Sequence, residues 1–223
     1  MPATSEGLEA VSAMGVPPPP PRTEAKPEAW ANPAVVGLMG FGTTTMIAGL
    51  SNLPEPYVSG FSGNWVVFGM ALAFGGIAQL IAGLIALRQG NLFAGSAFMG
   101  YGAFWLAFTL MLSQYVANAG TGFLWGVAGF AFIWMLFTFS FMINAPKHGW
   151  GITFVFVLLF FSFILLTVKF ASLAQSGTGS AFYGSGSWNW AVGGVIIVTG
   201  LMAWYVATAV LTNWNYGRRI LPE

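Results

Sequence analysis

The sequence from Trp150 to Ser172 reads WGITFVFVLLFFSFILLTVKFAS, a continuous apolar run with a single charged residue, Lys169. A transmembrane helix needs about 20 predominantly apolar residues to cross a hydrocarbon layer roughly 30 Å thick. The flanking sequence has the same character, because no aspartate or glutamate occurs between Tyr57 and Gly217. Strands of a membrane barrel would alternate polar and apolar residues, and the sequence lacks that alternation. The chain is therefore predicted to be an all-α integral membrane protein.

Six apolar segments can be separated after Asn32, where glycine, asparagine, proline or charged residues interrupt the hydrophobic runs. Asn32 followed by Pro33 predicts a helix start, and Gly90 followed by Asn91 predicts the end of one helix and the start of the next. A glycine- and serine-rich loop from Gln175 to Ser187 is predicted to be mobile. The six predicted transmembrane helices are, approximately, Pro33–Leu53, Asn64–Leu87, Leu92–Val116, Phe123–Ile143, Trp150–Ser172 and Trp188–Trp214.

Residues 1–31 differ from the rest in composition, since they hold four of the six acidic residues and five consecutive prolines, Pro17 to Pro21. Such a segment cannot build a hydrophobic core, so a disordered, proline-rich cytoplasmic tail is predicted. The prolines should adopt a polyproline II helix; a stiff soluble tether is the simpler interpretation, and docking to an SH3-like partner is the alternative. Residues 32–217 then form the six-helix transmembrane domain, and residues 218–223 a short cytoplasmic C-terminal tail.

The positive charges predict the orientation in the membrane. They follow the second, fourth and sixth predicted helices, which places them on one face of the bundle, and positive loops stay in the cytoplasm. Both termini are accordingly predicted to be cytoplasmic, in a multi-pass protein of the cell membrane. Lys169, near the end of the fifth helix, is interpreted as snorkelling to the lipid interface; an anion-attracting charge and a Schiff-base lysine are the alternatives. The residues of the positive face are Arg88, Lys147, His148, Arg218 and Arg219.

The composition also excludes several classes of protein. The chain has no cysteine and one histidine, His148, so disulfides, thiolate chemistry and bis-histidine haem ligation within one chain are excluded. No set of nucleophile, base and orienting acid is present, so the chain is predicted not to be an enzyme. We expect no cofactor, no metal ion and no nucleic-acid partner; the partners expected are membrane lipid and a small solute.

The polar residues inside the predicted helices are neutral. A pathway lined by such groups can replace water around a small solute. Asn32 and the first backbone amides of the first helix offer hydrogen-bond donors and the positive end of the helix dipole, which together suit an anion. For an isolated threonine or glutamine, a hydrogen bond to a neighbouring helix is the commoner explanation. The candidate substrate-binding residues are Asn32, Thr44, Gln79 and Trp105.

Several sequence blocks resemble a known family. The stretch NPAVVGL from Asn32 is similar to the NPAPLGL signature of the YaaH/SatP acetate uptake transporters, and GLMGFGTTT continues the likeness. Later blocks follow in the order of that family: GGIAQLIAGL from Gly75, GNLFAGSAFMGYGAFWL from Gly90, FTFSFMI from Phe137 and YGRRILP from Tyr216. The resemblance covers essentially Asn32 to Pro222, and the ordered set is far more specific than any single motif.

This resemblance implies a six-helix protomer, commonly in a homo-hexamer, with a narrow path through each protomer for acetate and related carboxylates such as succinate. It also implies a hydrophobic constriction formed by Phe41, Tyr101 and Leu159, the last placed only by its neighbours in an apolar helix. Two aromatic rings and a leucine can exclude water from a pore, while the tyrosine hydroxyl could donate to a carboxylate.

The chain also departs from the family pattern. Val35 and Val36 replace the Pro-Leu of the signature, and Tyr205 to Trp214 lacks the acidic residues of bacterial members. Anion permeation, or passage of the neutral acid, is therefore expected instead of proton coupling through protein carboxylates. Two other functions stay open: a channel for another small solute such as ammonium or ammonia, and a non-transporting membrane scaffold whose proline tail recruits partners.

Overall fold

Six apolar helices make up the structure, a computed structural model that describes residues 30–54, 63–115, 120–176 and 186–223. No β-strand occurs within these four ranges. The second helix has three consecutive segments, and a short 3₁₀ turn, Ala145–His148, precedes the fifth. The helices are α1 Ala34–Leu50, α2 Gly63–Met70 with its continuations Ala71–Ala78 and Gln79–Arg88, α3 Leu92–Tyr115, α4 Thr121–Met142, α5 Trp150–Ser176 and α6 Gly186–Tyr216.

Five of these helices, α2 to α6, are long and apolar enough to cross a membrane. The remaining one, α1, is apolar but has 17 residues, the shortest of the six. At 1.5 Å per residue it spans about 25 Å, slightly less than the hydrocarbon thickness. The predicted all-α membrane fold is thus confirmed. The predicted N-terminal tail lies outside the described residues.

The ends of the helices show where local chemistry sets the boundaries. The turn between α2 and α3 follows the prediction: Gly90 has φ +80°, and the Asn91 side chain accepts a hydrogen bond from the Ala94 amide at 3.0 Å. By contrast, α1 ends at Leu50, three residues before the predicted Leu53. The cause is two side chains, since Ser51 Oγ and Asn52 Nδ2 both donate to the Ala48 carbonyl at 2.8 Å.

The fifth and sixth helices are longer than predicted. Helix α5 continues to Ser176, four residues beyond Ser172, and α6 begins at Gly186. The predicted glycine- and serine-rich loop is therefore shorter than expected, and its central residues 177–185 lie outside the described residues. Serine and alanine near the end of α5 tolerate helix, so composition alone placed the boundary too early.

A π-helical segment interrupts α2 between Ala71 and Ala78. Its wider turn rotates the side chains after it relative to those before it, and such segments are frequent at functional sites. Helix α1 packs closely against it, because a Cβ on Gly40 would lie 2.6 Å from the Phe74 carbonyl oxygen. Gln79, a candidate site residue, is the first residue after the π segment.

Helices α1 and α6 are in close backbone contact. A Cβ on Gly42 would lie 2.7 Å from the Gly200 carbonyl oxygen, and a Cβ on Gly193 would lie 2.9 Å from that of Gly49. Two glycines on each helix, seven residues apart, therefore let the backbones touch, as small residues do in membrane helix pairs. Helix α4 packs along α5, and the last segment of α2 packs along α3.

Residues 218–223, predicted as a short cytoplasmic tail, fold back against the end of α6. The Asn213 side chain accepts hydrogen bonds from the Ile220 and Leu221 amides at 2.7 and 3.0 Å and donates to the Leu221 carbonyl at 2.9 Å. Tyr205 donates its hydroxyl hydrogen to the Pro222 carbonyl at 2.9 Å. These bonds bring Glu223 beside Gly149, at the start of α5.

Candidate functional site: two cavities that meet at Phe41, Tyr101 and Leu159

One cavity, of about 210 Å³, lies at the end of the bundle where α1 and α3 begin. We call it the His148 cavity. Its polar lining residues include Gln79, Asn91, His148 and Glu223, and the remaining wall is mostly apolar. The His148 ring stacks on Phe93 with ring centroids 3.9 Å apart. This cavity therefore has both a basic and an acidic side chain at its rim.

A second cavity, of about 260 Å³, lies towards the end of the bundle where α1 finishes and α4 begins. We call it the Asn52 cavity. Its polar lining residues are Thr45, Ser51, Asn52 and Ser162, with Tyr101 and Trp105, and the rest of the wall is largely aromatic. Each cavity is more than ten times the roughly 10–15 Å³ that a single water molecule needs.

Among the described residues, only Phe41, Tyr101 and Leu159 line both cavities. The exposed fractions of these side chains are 4%, 3% and 5%. The Phe41 and Tyr101 rings lie 5.3 Å apart between centroids and tilt by 58°. Three different helices, α1, α3 and α5, thus supply the apolar wall between the two cavities. The three residues that the family resemblance placed in a constriction are brought together here.

The Tyr101 hydroxyl is held by Thr138 on α4. The two hydroxyl oxygens lie 2.9 Å apart, and Thr138 Oγ1 also lies 2.7 Å from the Trp134 carbonyl oxygen. A carbonyl only accepts, so the single Thr138 hydrogen goes to Trp134, and Tyr101 is the donor to Thr138. The one hydrogen of the phenol is therefore already used, which differs from the expectation that it would donate to a carboxylate.

Gln79 and Trp105 carry buried polar atoms that find no hydrogen-bond partner among the described residues: Gln79 Oε1 and Trp105 Nε1. Gln79 lines the His148 cavity and Trp105 lines the Asn52 cavity. Leaving such a group unsatisfied costs about 1–3 kcal/mol, so a water or a solute in the cavity would stabilise it. One orphaned polar group therefore belongs to each cavity.

The other two candidate residues, Asn32 and Thr44, line neither of these cavities. Asn32 is exposed and caps α1 by accepting a hydrogen bond from the Ala34 amide at 3.0 Å, as predicted. Ala34 itself lines the His148 cavity, so the first turn of α1 reaches the cavity wall. Thr44 is fully buried and donates to the Met70 carbonyl at 3.4 Å, which is the ordinary helix-to-helix role of a membrane threonine.

The snorkelling interpretation of Lys169 is wrong. This side chain is 1% exposed, and its Nζ donates to Asn52 Oδ1 at 2.8 Å. It therefore turns inward to the end of α1 instead of reaching for the lipid interface. The sequence indicated an intramembrane cation but could not indicate its direction, because the helix around it is apolar on every face.

The described helices are those of a multi-pass integral membrane protein, and the His148 and Asn52 cavities between them are each large enough for several water molecules. Within the described ranges, no cluster of three or more His, Cys, Asp or Glu residues could hold a metal ion. The model of the GPR1/FUN34/yaaH family matches residues 15–217, and the chain belongs to this family.

Individual relatives agree with that assignment. The chain is 35% identical to the succinate-acetate/proton symporter SatP of Escherichia coli K12 over 86% of its own length and 94% of the relative. It is 33% identical to the ammonia transport outward protein 2 of Saccharomyces cerevisiae, over 83% of its length and 64% of that protein. A solved structure of the bacterial acetate channel SatP superimposes with a TM-score of 0.67 at 32% identity, covering 87% of this chain and 99% of the other.

Proposed function

We propose that this protein carries acetate and related small carboxylates, succinate among them, across the cell membrane by channel-like permeation. The observation that supports this most directly is that, in the part of the chain that the structure describes, Phe41, Tyr101 and Leu159 alone line both cavities. A solute crossing from one cavity to the other must pass this wall. The names of the bacterial relatives, an acetate channel and a succinate-acetate symporter, supply the solute class.

The physical task of such a path is to offset the lost hydration of a carboxylate. An unpaired anion in an apolar medium is very costly, whereas hydrogen-bond donors reduce that cost. Trp105 Nε1 is a buried donor without a partner among the described residues, and the Gln79 amide provides two N–H groups in addition to its oxygen. We assign these two residues to substrate binding, one on each side of the constriction.

Asn32 and Thr44 act less directly in this proposal. Asn32 caps α1 and so orients the first amides and the positive end of its dipole at the His148 cavity, where Ala34 forms part of the wall. Thr44 lies behind the wall: a Cβ on Gly75 would meet Thr44 Oγ1 at 2.8 Å and Trp105 Cδ1 at 2.9 Å. Thr44 therefore contributes by fixing the packing around Trp105.

An anion channel and a proton-coupled symporter predict different movements of net charge across the membrane. The region from Tyr57 to Gly217 contains no acidic residue, so the protein offers no carboxylate relay for a proton there. We therefore propose passage of the acetate anion. In proteoliposomes at equal pH on both sides, a 100 mV potential should drive net acetate movement towards a gradient of about 50-fold, with a measurable current. Electrically silent uptake that requires a pH gradient would contradict the anion channel.

Topology and assembly are further parts of the proposal. The exposed residues Arg88, Lys147, Arg218 and Arg219 share the end of the bundle with the His148 cavity, which supports cytoplasmic termini. A homo-hexamer follows from the family resemblance, with one path per protomer. Tags placed at either terminus and probed in sealed spheroplasts test the topology, and native mass spectrometry from lipid nanodiscs tests the subunit number.

Ammonium or ammonia is the second candidate, because a yeast relative is named for ammonia transport. The Asn52 cavity favours it in one respect: its many aromatic rings could hold a cation by cation–π attraction. Ammonium flux measured in the same vesicles separates the two functions. Retained uptake after deletion of residues 1–28 would exclude the scaffold function.

A further inference from the structure

The segment after α6 returns to the His148 cavity, and permeation through the constriction does not explain why it does so. Helix α6 ends at Tyr216, and Gly217 has φ +62°, a left-handed conformation that turns the chain away from the helix. Residues 217–223, which we call the strap, then run from the end of α6 to the start of α5. A Cβ on Gly149 would lie 3.2 Å from the backbone oxygen of Glu223, so the strap contacts the backbone there.

Two side chains of α6 hold the strap in this position. Asn213 accepts hydrogen bonds from the Ile220 and Leu221 amides at 2.7 and 3.0 Å and donates to the Leu221 carbonyl at 2.9 Å. Tyr205 donates its hydroxyl hydrogen to the Pro222 carbonyl at 2.9 Å. None of these four bonds satisfies a carbonyl group at the end of α6, so they fix the strap and do not cap the helix.

The strap brings a carboxylate to the His148 cavity. Glu223 and His148 both line this cavity, and Asn213 Nδ2 donates to Glu223 Oε1 at 3.3 Å. Asn213 itself lies outside the described lining. The amide group that fixes the backbone of the strap therefore also contacts the carboxylate that the strap presents to the cavity. A permeating carboxylate has the same sign of charge as Glu223, so the two repel each other.

We propose that Asn213 and Tyr205 are positioning residues of a charge filter. By holding the strap they keep the Glu223 carboxylate at the His148 cavity, where it favours monocarboxylates over dicarboxylates, because a dianion feels twice the repulsion of a monoanion. This inference rests on the proposed carboxylate transport and deepens it, since it assigns the selection between acetate and succinate to a segment outside the helices.

The first test measures equilibrium binding of radiolabelled acetate and succinate to the purified full chain in detergent, at low salt and at a pH where succinate is a dianion. Glu223→Gln removes the charge and Asn213→Ala releases the strap, so each should tighten succinate binding relative to acetate binding by about threefold. Asn215→Ala is the matched control, because Asn215 is an exposed residue of α6 outside the described lining of both cavities, and it should match the parent.

Other charged groups at this end of the bundle, His148 among them, are the same in parent and variants and do not affect the comparison. The proposal is overturned if the ratio of succinate to acetate affinity stays at the parent value in Asn213→Ala or in Glu223→Gln. It is also overturned if the parent binds neither anion, or if Asn215→Ala shifts the ratio as much as Asn213→Ala does.

A double variant separates a positioning role from a structural one. If Asn213 acts through Glu223, Asn213→Ala changes the ratio no further once Glu223→Gln is present, so the two effects are not additive in free energy. Effects that multiply to about ninefold would mean that Asn213 alters the cavity in another way, and the proposal would fail.

A second variant protects the test against misfolding of Asn213→Ala. Tyr205→Phe keeps the ring beside Trp150 and loses only the hydrogen bond to Pro222, so it should shift the ratio in the same direction by a smaller factor. If Asn213→Ala does not fold, an unchanged ratio in Tyr205→Phe overturns the proposal.

The position of the strap can be followed without substrate. The chain has no cysteine, so Arg219→Cys at an exposed position of the strap accepts a single nitroxide spin label. The electron paramagnetic resonance spectrum should show a restricted label in the otherwise unchanged chain and in Asn215→Ala, and a mobile one in Asn213→Ala. Equal mobility in all three proteins overturns the proposal.

Uptake into proteoliposomes separates this proposal from the proposed function. A parent that binds both anions but moves no acetate contradicts the proposed transport, while a binding ratio that shifts in Asn213→Ala and Glu223→Gln still supports the charge filter. Conversely, normal acetate flux with a binding ratio that neither variant changes supports transport and overturns the filter.

Discussion

The two cavities share one wall of three residues and differ in almost everything else. The His148 cavity has a histidine and a carboxylate at its rim and lies at the end of the bundle that carries the exposed arginines. The Asn52 cavity is aromatic and uncharged in its described lining, with a buried lysine behind it. The two cavities therefore differ in their electrostatics although their volumes are similar: the described lining of the His148 cavity includes a histidine and a carboxylate, whereas the described lining of the Asn52 cavity includes no charged side chain.

The largest effect is expected from removing a side chain of the wall between the two cavities. Phe41→Ala deletes a ring from the wall and joins the two cavities, so flux of a bulkier carboxylate such as butyrate should rise by about tenfold. The substitution also costs about 3–5 kcal/mol of stability. Uptake of acetate and butyrate into proteoliposomes measures the change.

Two matched controls exist for this experiment. Phe98 lines only the His148 cavity and Phe163 only the Asn52 cavity, and both are as buried as Phe41 to within a few per cent. Phe98→Ala and Phe163→Ala should leave selectivity for acetate over butyrate intact. Equal leak through all three variants would mean that Phe41 has no special position between the cavities.

A smaller effect is expected from the charge at the rim of the His148 cavity. Glu223 repels anions there, and a dianion feels twice the force on a monoanion. Glu223→Gln should therefore raise succinate flux relative to acetate flux by about threefold at low salt, less at 0.15 M where screening acts over roughly 8 Å. Glu223→Asp serves as the control that keeps the charge. If the ratio of succinate flux to acetate flux changes neither with the substitution nor with the salt concentration, Glu223 does not influence the entry of anions.

The hydroxyl of Tyr101 should matter less than its ring. Because its hydrogen is donated to Thr138, Tyr101→Phe and Thr138→Val should each lower stability by about 0.5–1.5 kcal/mol and change acetate flux by no more than about twofold. Thermal unfolding and vesicle uptake measure the two quantities. A large loss of flux in Tyr101→Phe with normal flux in Thr138→Val would mean that the phenol turns from Thr138 to the substrate.

The smallest effect on acetate flux is expected at the cap of α1, the helix whose first turn reaches the His148 cavity. Asn32→Ala removes the cap of α1, which costs about 0.5–2 kcal/mol, and should reduce acetate flux more than Val35→Pro, because proline is tolerated in the first turn of a helix. Comparing both variants in unfolding and uptake assays decides the matter. Normal uptake by a folded Asn32→Ala protein would remove this residue from the pathway.

Features with local causes could be predicted from the sequence. The Asn32 cap and the Gly90–Asn91 turn follow from the chemistry of adjacent residues, and the apolar runs follow from the membrane. Phe41 and Tyr101 could be assigned to the constriction because each lies in a sequence motif of the family. Leu159 could be assigned only by aligning its neighbours, since an all-apolar helix gives no indication of which leucine faces inward.

Features that depend on pairing between distant helices could not be predicted. The π segment of α2 lies where α1 packs against Phe74. The residue types from Ala71 to Ala78 do not themselves indicate a π helix. The inward turn of Lys169 requires Asn52, which lies on another helix and far away in the chain. The folding back of Glu223 depends on the side chain of Asn213 reaching three backbone groups at once.

The glycine contact between α1 and α6 has a consequence for biosynthesis. The principal partner of the first helix to be made is the last, so α1 must wait in the bilayer while the intervening chain is synthesised, on the order of ten seconds at about 5–20 residues per second. During that interval the backbone around Gly42 and Gly49 faces lipid or the insertion machinery. The contact between α1 and α6 is thus completed only after α6 has been inserted, and a ribosome that stalls before Gly193 leaves a protein whose α1 lacks its principal partner.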